Sequence, residues 1–283
     1  MKTLIITPFL NEENVLKKHI SSILAQTHVP IKWILVDDGS TDKSNSIVME
    51  YSEKIEWITL ITKNNKNLKR NIGSKIIRAF NTGLETVDIN EYDLILKLDA
   101  DIVLPDNYLE EIIRHFNSDK RIGLCGGVCI LDSNEIEKVA DLTHLRGALK
   151  AYRIECFNEI DGLMENMGWD SVDEYKARFL NWKVKVIPDL KAIHLRKTNS
   201  EISFTKAGFK NGKMLYKIRA RFIVMMTNAV KRLFWKPYLI QGLALFYGFM
   251  YALVTREKKI VDVKLGKYIR SYRYKKILEK FNL

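Results

Sequence analysis

The strongest constraint on this chain is an alternation running through its first hundred residues. Short apolar runs end in polar clusters and give way to stretches of helical period. Lys2–Thr7, Lys32–Val36, Trp57–Thr62 and Asp93–Leu98 read as strands. Glu12–Gln26, Asp42–Tyr51 and Arg70–Gly83 read as helices between them. Pro105 opens a further helix to about Phe116, at the first-turn position that proline favours. Such alternation predicts an α/β sheet, mostly parallel. Further on, Ile122–Leu131 reads as a strand whose Gly126-Gly127 pair lets something approach closely. Lys183–Ile187 reads as a strand ending at Pro188.

Open α/β sheets bind ligands at the carboxyl ends of their strands. Three polar clusters fall there: Pro8–Glu13, Asp37–Ser40 and Asp99–Asp101. The Asp99-Ala100-Asp101 pair of carboxylates suits a hard divalent cation shared with a phosphate-bearing ligand. Alone, the same three residues equally describe a solvated turn. In Asp37-Asp38-Gly39-Ser40-Thr41-Asp42, Gly39 permits a tight turn and Ser40, Thr41 or Asp42 can cap the next helix. A remaining carboxylate can accept from a base N–H or a ribose hydroxyl. Glu12 and Glu13 open the first helix, where carboxylates suit the helix dipole. Lys69 and Arg70 open another, either near a bound diphosphate or as a solvated basic face.

With 47% apolar and 28% charged residues, the 283-residue composition excludes disordered, collagenous and low-complexity chains. Cys125, Cys129 and Cys156 form no Cys-x-x-Cys pair, so neither a disulfide framework nor a structural zinc site is expected. The first apolar run is cut short by Pro8, so no export signal is expected. The net charge of +12 is uneven: residues 1–182 carry −7 and residues 183–283 carry +19. A strongly basic last third points to an anionic partner: a membrane surface, nucleic acid or a phosphorylated substrate.

Met214–Phe234 is helical in period, with Leu215, Ile218, Phe222, Met225, Met226, Ala229 and Leu233 on one arc. Basic residues lie largely opposite, and Arg219 breaks the pattern. A basic amphipathic helix ending in aromatics fits a membrane interface. Tyr238–Val254 follows as 17 uncharged residues, at the lower end of the ~17–25 needed for a span. A membrane-bound or re-entrant segment is expected over a true crossing. The alternative is a helix buried in the domain or in an oligomer interface.

The motifs together resemble a known family. Thr7-Pro8-Phe9-Leu10-Asn11-Glu12-Glu13, Ser22–Thr27, Val36–Asp42, Lys69-Arg70-Asn71-Ile72-Gly73 and Leu98-Asp99-Ala100-Asp101 resemble, in order and spacing, the inverting nucleotide-sugar transferases of glycosyltransferase family 2. Gly147–Arg153, Cys156-Phe157, Trp169–Glu174 and His194-Leu195-Arg196 resemble its non-processive branch; no Gln-x-x-Arg-Trp signature of processive synthases occurs. The resemblance implies a GT-A fold, Rossmann-like with a mostly parallel central sheet, over residues 1–203. A basic, apolar, helical, membrane-associated region is expected over residues 204–283.

It also implies roles. Pro8, Glu12 and Asp38 would line the nucleoside pocket, with Phe9 and Asp37 nearby. Arg70 would face the donor, and Asp99 and Ala100 would contact it. Asp101 and His194 would hold the metal, Mn2+ or Mg2+. Gly127, Tyr152, Arg153 and Trp169 would lie on the acceptor side. Counting back from Asn181-Trp182, where asparagine replaces the family's glycine, makes Asp170 the catalytic base. Asp173 and Glu174 are rivals within one helical turn. The acceptor would be a saccharide, a lipid-linked glycan or glycolipid, met on the cytoplasmic face of a membrane. Two other readings compete. Leu98–Leu104 resembles the nucleophile motif of haloacid-dehalogenase-like phosphatases, although that motif usually ends the first strand. The basic tail also fits a non-enzymatic binder of nucleic acid, but no nucleic-acid motif is present.

Overall fold

The computed structural model describes residues 1–63, 74–131, 143–196, 203–236 and 238–280. The chain divides into two compact units, Met1–Lys197 and Thr198–Leu283.

The first unit contains, in order, β1 (Thr3–Phe9), α1 (Glu13–Leu24), β2 (Lys32–Asp37), α2 (Ser44–Ser52), β3 (Ile58–Thr62), α3 (Ser74–Leu84), β4 (Leu94–Leu98), β5 (Ile102–Val103), α4 (Tyr108–Ser118), β6 (Ile122–Leu131), β7 (Leu149–Arg153), α5 (Ile154–Glu159), α6 (Trp169–Phe179) and β8 (Lys183–His194). The start of the helix expected from Arg70 lies outside the described residues. The strands form one sheet in the order β3-β2-β1-β4-β7-β6-β8-β5. β1 to β4 are mutually parallel, and β7 and β5 run against their neighbours. The sheet is therefore mixed: a parallel half of βα units joined to a half with two reversed strands.

Strand alternation builds a core on each face. Leu94, Leu96 and Leu98 of β4 point to the side covered by α1 and α4, through Leu16, Ile20, Ile112 and Phe116. Ile95 points to the other side, with Ile77 and Phe80 of α3. Lys97 shares the parity of Ile95, so a lysine enters that apolar layer and is 1% exposed.

Two expectations are corrected here. β8 does not stop before Pro188; it continues to His194. Its pairing with β6 shifts register between Gly126 and Val128, so β8 bulges opposite Gly127, and a bulge tolerates proline within a sheet. A Cβ on Gly127 would lie 2.1 Å from the Leu190 carbonyl oxygen. Gly127 thus admits a neighbouring strand rather than an acceptor.

The second unit is helical: α7 (Phe204–Lys217), α8 (Phe222–Leu233), α9 (Ile240–Val254) and α10 (Val263–Lys280). The single helix expected over Met214–Phe234 is broken between α7 and α8, where Arg219 takes a left-handed φ of 61°. Leu215, Ile218, Met225 and Ala229 of the expected arc are buried, whereas Phe222 and Met226 are exposed. α7 and α9 meet backbone to backbone through glycines. A Cβ on Gly212 would lie 2.0 Å from Leu245 O, and one on Gly248 would lie 2.1 Å from Phe209 O. Among the described residues, no helix is long and apolar enough to cross a membrane.

Candidate active site

The polar clusters gather where the parallel strands end. Phe9 at the end of β1 is in register with Asp37 at the end of β2. Asp99 follows β4, its N–H donating to Ala148 O at 2.8 Å. β5 then pairs antiparallel with the end of β8, setting Ile102 opposite His194. Leu195 N donates to Asp101 O at 2.9 Å. This pairing carries a histidine across more than ninety positions of sequence to the second carboxylate of the Asp-x-Asp pair.

His194 Nε2 lies 3.3 Å from Asp101 Oδ2, and Arg196 Nε lies 3.5 Å from the same oxygen. Arg196 Nη2 also donates to Glu12 Oε2. Glu12, Asp101, His194 and Arg196 therefore form one charged cluster at the strand ends. Burial works to raise the Asp101 carboxyl, but the hydrogen bond and charge of His194, with Arg196, outweigh it and hold the group below its usual range. Burial wins at Glu12, whose carboxyl is raised against the pull of Arg196. Burial also raises the Asp99 carboxyl, opposed by Lys97.

Asp99 accepts from Lys97 Nζ, which also donates to Gly147 O at 2.9 Å and sits 5.2 Å from the centre of the Trp169 ring. Lys150 lies opposite Lys97 in the β4–β7 pairing and faces the same ring at 5.7 Å. Two buried lysines side by side would repel; the indole and three acidic residues of α6 offset this. Lys150 Nζ is 3.0 Å from both Asp173 carboxylate oxygens, 3.1 Å from Glu174 Oε1, and donates to the Asp170 carbonyl. Tyr152 donates its hydroxyl to Asp173 at 2.6 Å. Glu174 is further held by His144, by Arg178 and by Leu145 N. Burial would raise Glu174, but the charge of Lys150, with the His144 hydrogen bond and Arg178, outweighs it and holds the carboxyl far below the usual range.

The three acids within one turn of α6 thus have different fates. Asp173 and Glu174 are buried and spent on Lys150 and its neighbours. The Asp170 side chain, in the first turn, is half-buried and has no hydrogen-bond partner among the described residues. A Cβ on Gly147 would lie 3.2 Å from Asp170 Cβ. Gly147 therefore sits close to the Asp170 side-chain stem while its carbonyl accepts from Lys97, which in turn donates to Asp99.

Several expected contacts turn out to be internal. Asp37 is 1% exposed; its carboxylate accepts from Gly39 N, Ser40 N and Asn45 Nδ2 and holds the turn. Pro8, Phe9 and Ala100 are buried. Tyr152 is fully buried, and Arg153 donates to Ile122 O and Phe116 O; both serve packing rather than an acceptor. Trp169 is 7% exposed, under its two lysines. Asp38 stays half-buried with Lys63 at 3.1 Å. Asp42 accepts from Ser44 N at the start of α2, at 2.9 Å, and also from Glu13 N, while Ser40 accepts from Asn11 N, so the pair stitches the first two strand-end loops together. Asn181, in place of the family's glycine, takes a φ of 67° just beyond α6, a conformation asparagine tolerates. Lys69 and Arg70 lie outside the described residues. Lys97, Lys150 and Gly147 had no assigned role from sequence. A lysine inside an apolar strand was the available signal for two of them.

Among the described residues, no three His, Cys, Asp or Glu side chains are grouped to hold a metal by themselves. The Asp101 carboxylate fits a hard cation that draws its remaining ligands from a diphosphate, the usual arrangement for Mg2+ with nucleotides, and the His194 imidazole stands 3.3 Å from that carboxylate.

Residues 4–165, more than half of the chain, match the family model described as Glycosyl transferase family 2. Among curated relatives, glycosyltransferase GlyA of Streptococcus pneumoniae is 32% identical over 125 residues, covering 43% of this chain and 16% of the relative. An uncharacterized glycosyltransferase of Nostoc, alr2836, is 30% identical over 136 residues, 48% of this chain and 39% of the relative. The chain matches well under two thirds of the length of either. Among solved structures, the mannosyltransferase PcManGT from Pyrobaculum calidifontis, in complex with GDP-Man and Mn2+, aligns with a TM-score of 0.63 at 16% identity, covering 90% of this chain and 88% of that one. S. aureus TarS 1-349 in complex with UDP-GlcNAc aligns at 0.57 and 16% identity, covering 90% and 73%. At these identities the likeness is one of fold.

Proposed function

The chain belongs to glycosyl transferase family 2, and from that premise we propose that it moves a sugar from a nucleoside-diphosphate sugar to a saccharide hydroxyl, with inversion and with a divalent cation. The observation that carries the reading is the chain Asp99–Lys97–Gly147–Asp170. It ties the Asp-x-Asp pair to the one acid of α6 that is not committed to an internal ion pair.

Asp101 and His194 would hold the cation, Mn2+ or Mg2+. When bound, it supplies positive charge against the leaving diphosphate. Glu12 and Asp38 line the nucleoside end, and Asp99 contacts the donor. Arg196 contributes positive charge near the diphosphate. Asp170 accepts the proton of the acceptor hydroxyl. That oxygen bonds to the anomeric carbon as the bond to the diphosphate oxygen breaks, and one displacement inverts the configuration. Trp169, next to the base in sequence, carries Lys97 and Lys150 on its ring. The phosphatase reading loses ground because Asp99 follows the fourth strand and is tied to a buried lysine.

The acceptor is a lipid-linked glycan or glycolipid on the cytoplasmic face of a membrane, and the basic second unit keeps the enzyme beside it. The charge of +19 over residues 183–283 supports this. The test is Asp170→Asn assayed with a panel of nucleotide sugars for release of nucleoside diphosphate. Transfer should vanish while nucleotide binding stays near wild type. Near-wild-type turnover would move the base elsewhere.

A further inference from the structure

Residues 204–283 are less than a third of the chain but carry 18 of the 25 exposed large apolar side chains among the described residues. They are ordered. On α8, Phe222, Met226 and Val230 recur every four residues, and Phe234 continues the row beyond the helix end. That spacing makes one stripe along a helix. On α9, Leu243 and Tyr247 are exposed as well, while Gly242, Leu245 and Gly248 are buried. Of the arc that sequence periodicity marks as apolar, Leu215, Ile218, Met225 and Ala229 are consumed inside the protein, whereas Phe222 and Met226 stay uncovered together with Val230 and Phe234.

We propose that this face of the α8–α9 hairpin lies in one leaflet of an anionic membrane, parallel to the surface and without crossing it. Charge identifies the occupant. Residues 221–259 contain seven Lys and Arg and a single acid, Glu257. That acid is already paired with Lys213 and with Lys217. A second copy docked on the same face would bring basic collar against basic collar; anionic headgroups complement it.

Length identifies the orientation. α9 has 15 residues, roughly 22 Å at 1.5 Å per residue, against a hydrocarbon core of ~30 Å. Basic residues flank it on both sides. The tip of the hairpin suits the headgroup boundary. Lys231 Nζ and the Arg232 guanidinium each sit 5.5 Å from the Trp235 ring centre, and Trp is enriched where apolar chains meet headgroups. Leu239, at the same tip, has a φ of 67° and is 57% exposed. A left-handed leucine held out into solvent is a costly choice unless something apolar receives it.

The inference extends the lipid-linked acceptor reading and is tested without donor or acceptor, so the two can fail separately. The full chain is sedimented with phosphatidylcholine vesicles, with and without about a third phosphatidylglycerol. Partition onto the anionic vesicles is expected, with little onto the neutral ones. Replacing Lys231, Arg232 and Lys236 by Gln should weaken it on the order of 100-fold, at about fivefold per cation. Met226→Ser, Val230→Ser and Phe234→Ser together should abolish it with the melting midpoint unchanged, because these side chains are exposed. Trp235 emission should shift to the blue on vesicle addition, judged against Trp235→Phe. No partition, or equal partition of wild type and the serine variant, overturns the proposal. A solution dimer that the serine variant dissolves, with no vesicle binding, assigns the face to a second copy instead.

Discussion

Replacing Lys150 by Met removes the only cation bonded to Asp173 among the described ion pairs. Lys150 is fully buried and reaches both Asp173 oxygens at 3.0 Å and Glu174 at 3.1 Å. Glu174 keeps His144 and Arg178 after the change, so most of the loss falls on Asp173. Asp173 keeps only neutral donors, the Tyr152 hydroxyl and Glu174 N, each at 2.6 Å. Removing one partner of a buried pair costs about 3–5 kcal/mol. At roughly 2–4 °C per kcal/mol for a unit of this size, the melting midpoint should fall by about 6–20 °C. Adding Asp173→Asn removes the stranded charge and should recover part of that loss. The double variant should thus be more stable than the two single costs summed, by about 1 kcal/mol or more. Chemical denaturation followed by tryptophan fluorescence reads all four proteins. A Lys150→Met cost below about 1 kcal/mol, or strict additivity, would refute the argument that this lysine holds α6 in place.

Three further outcomes follow from single contacts. His19 is fully buried and donates Nδ1–H to Ile102 O at 2.6 Å, and its Nε2 has no hydrogen-bond partner among the described residues; burial lowers it to about 4. The unfolded chain protonates this side chain below about 6.5, so unfolding takes up a proton between those values. Stability should fall as pH drops through that window, by about 3 kcal/mol in all, and His19→Gln should flatten the slope measured by denaturation at several pH values. Gly147→Ala places a Cβ 3.0 Å from the Trp169 ring and 3.2 Å from Asp170 Cβ. It should cut turnover severalfold or more with nucleotide binding intact, since small misplacement of a catalytic group is costly; unchanged turnover would separate Gly147 from the base. Gly212→Ala drives a Cβ against Leu245 O and should destabilise the helical unit by roughly 1–3 kcal/mol in a thermal melt.

The parallel half of the sheet was legible because strand and helix periods alternate cleanly, and because its polar clusters follow apolar runs. The acid pair and His194 were legible by their types and by family spacing. What escaped the sequence depends on contacts distant along the chain. Pro188 reads as a strand end until Gly127, sixty-one positions earlier, is seen to admit the bulge. Tyr152 and Arg153 read, by family resemblance, as acceptor-side residues, yet the hydroxyl is met by Asp173 and the guanidinium by the Ile122 and Phe116 carbonyls. Asp37 reads as a ligand contact, but its turn consumes it. The choice among Asp170, Asp173 and Glu174 was open on spacing, because only the arrival of Lys150 from β7 distinguishes them. The apolar arc of the basic tail was read correctly as apolar, but periodicity cannot tell which side of a helix its neighbours will cover.

The central claim is that the strand-end cluster around Asp101 binds a nucleoside diphosphate together with a divalent cation. Thermal melting against UDP, GDP and dTDP, each with and without Mn2+, tests it most directly. One nucleotide should stabilise the protein only with the metal, by about 2.7 kcal/mol at 100 times its dissociation constant. The shift should disappear in Asp101→Asn. Absence of any shift in folded protein, or an equal shift in Asp101→Asn, would contradict the account.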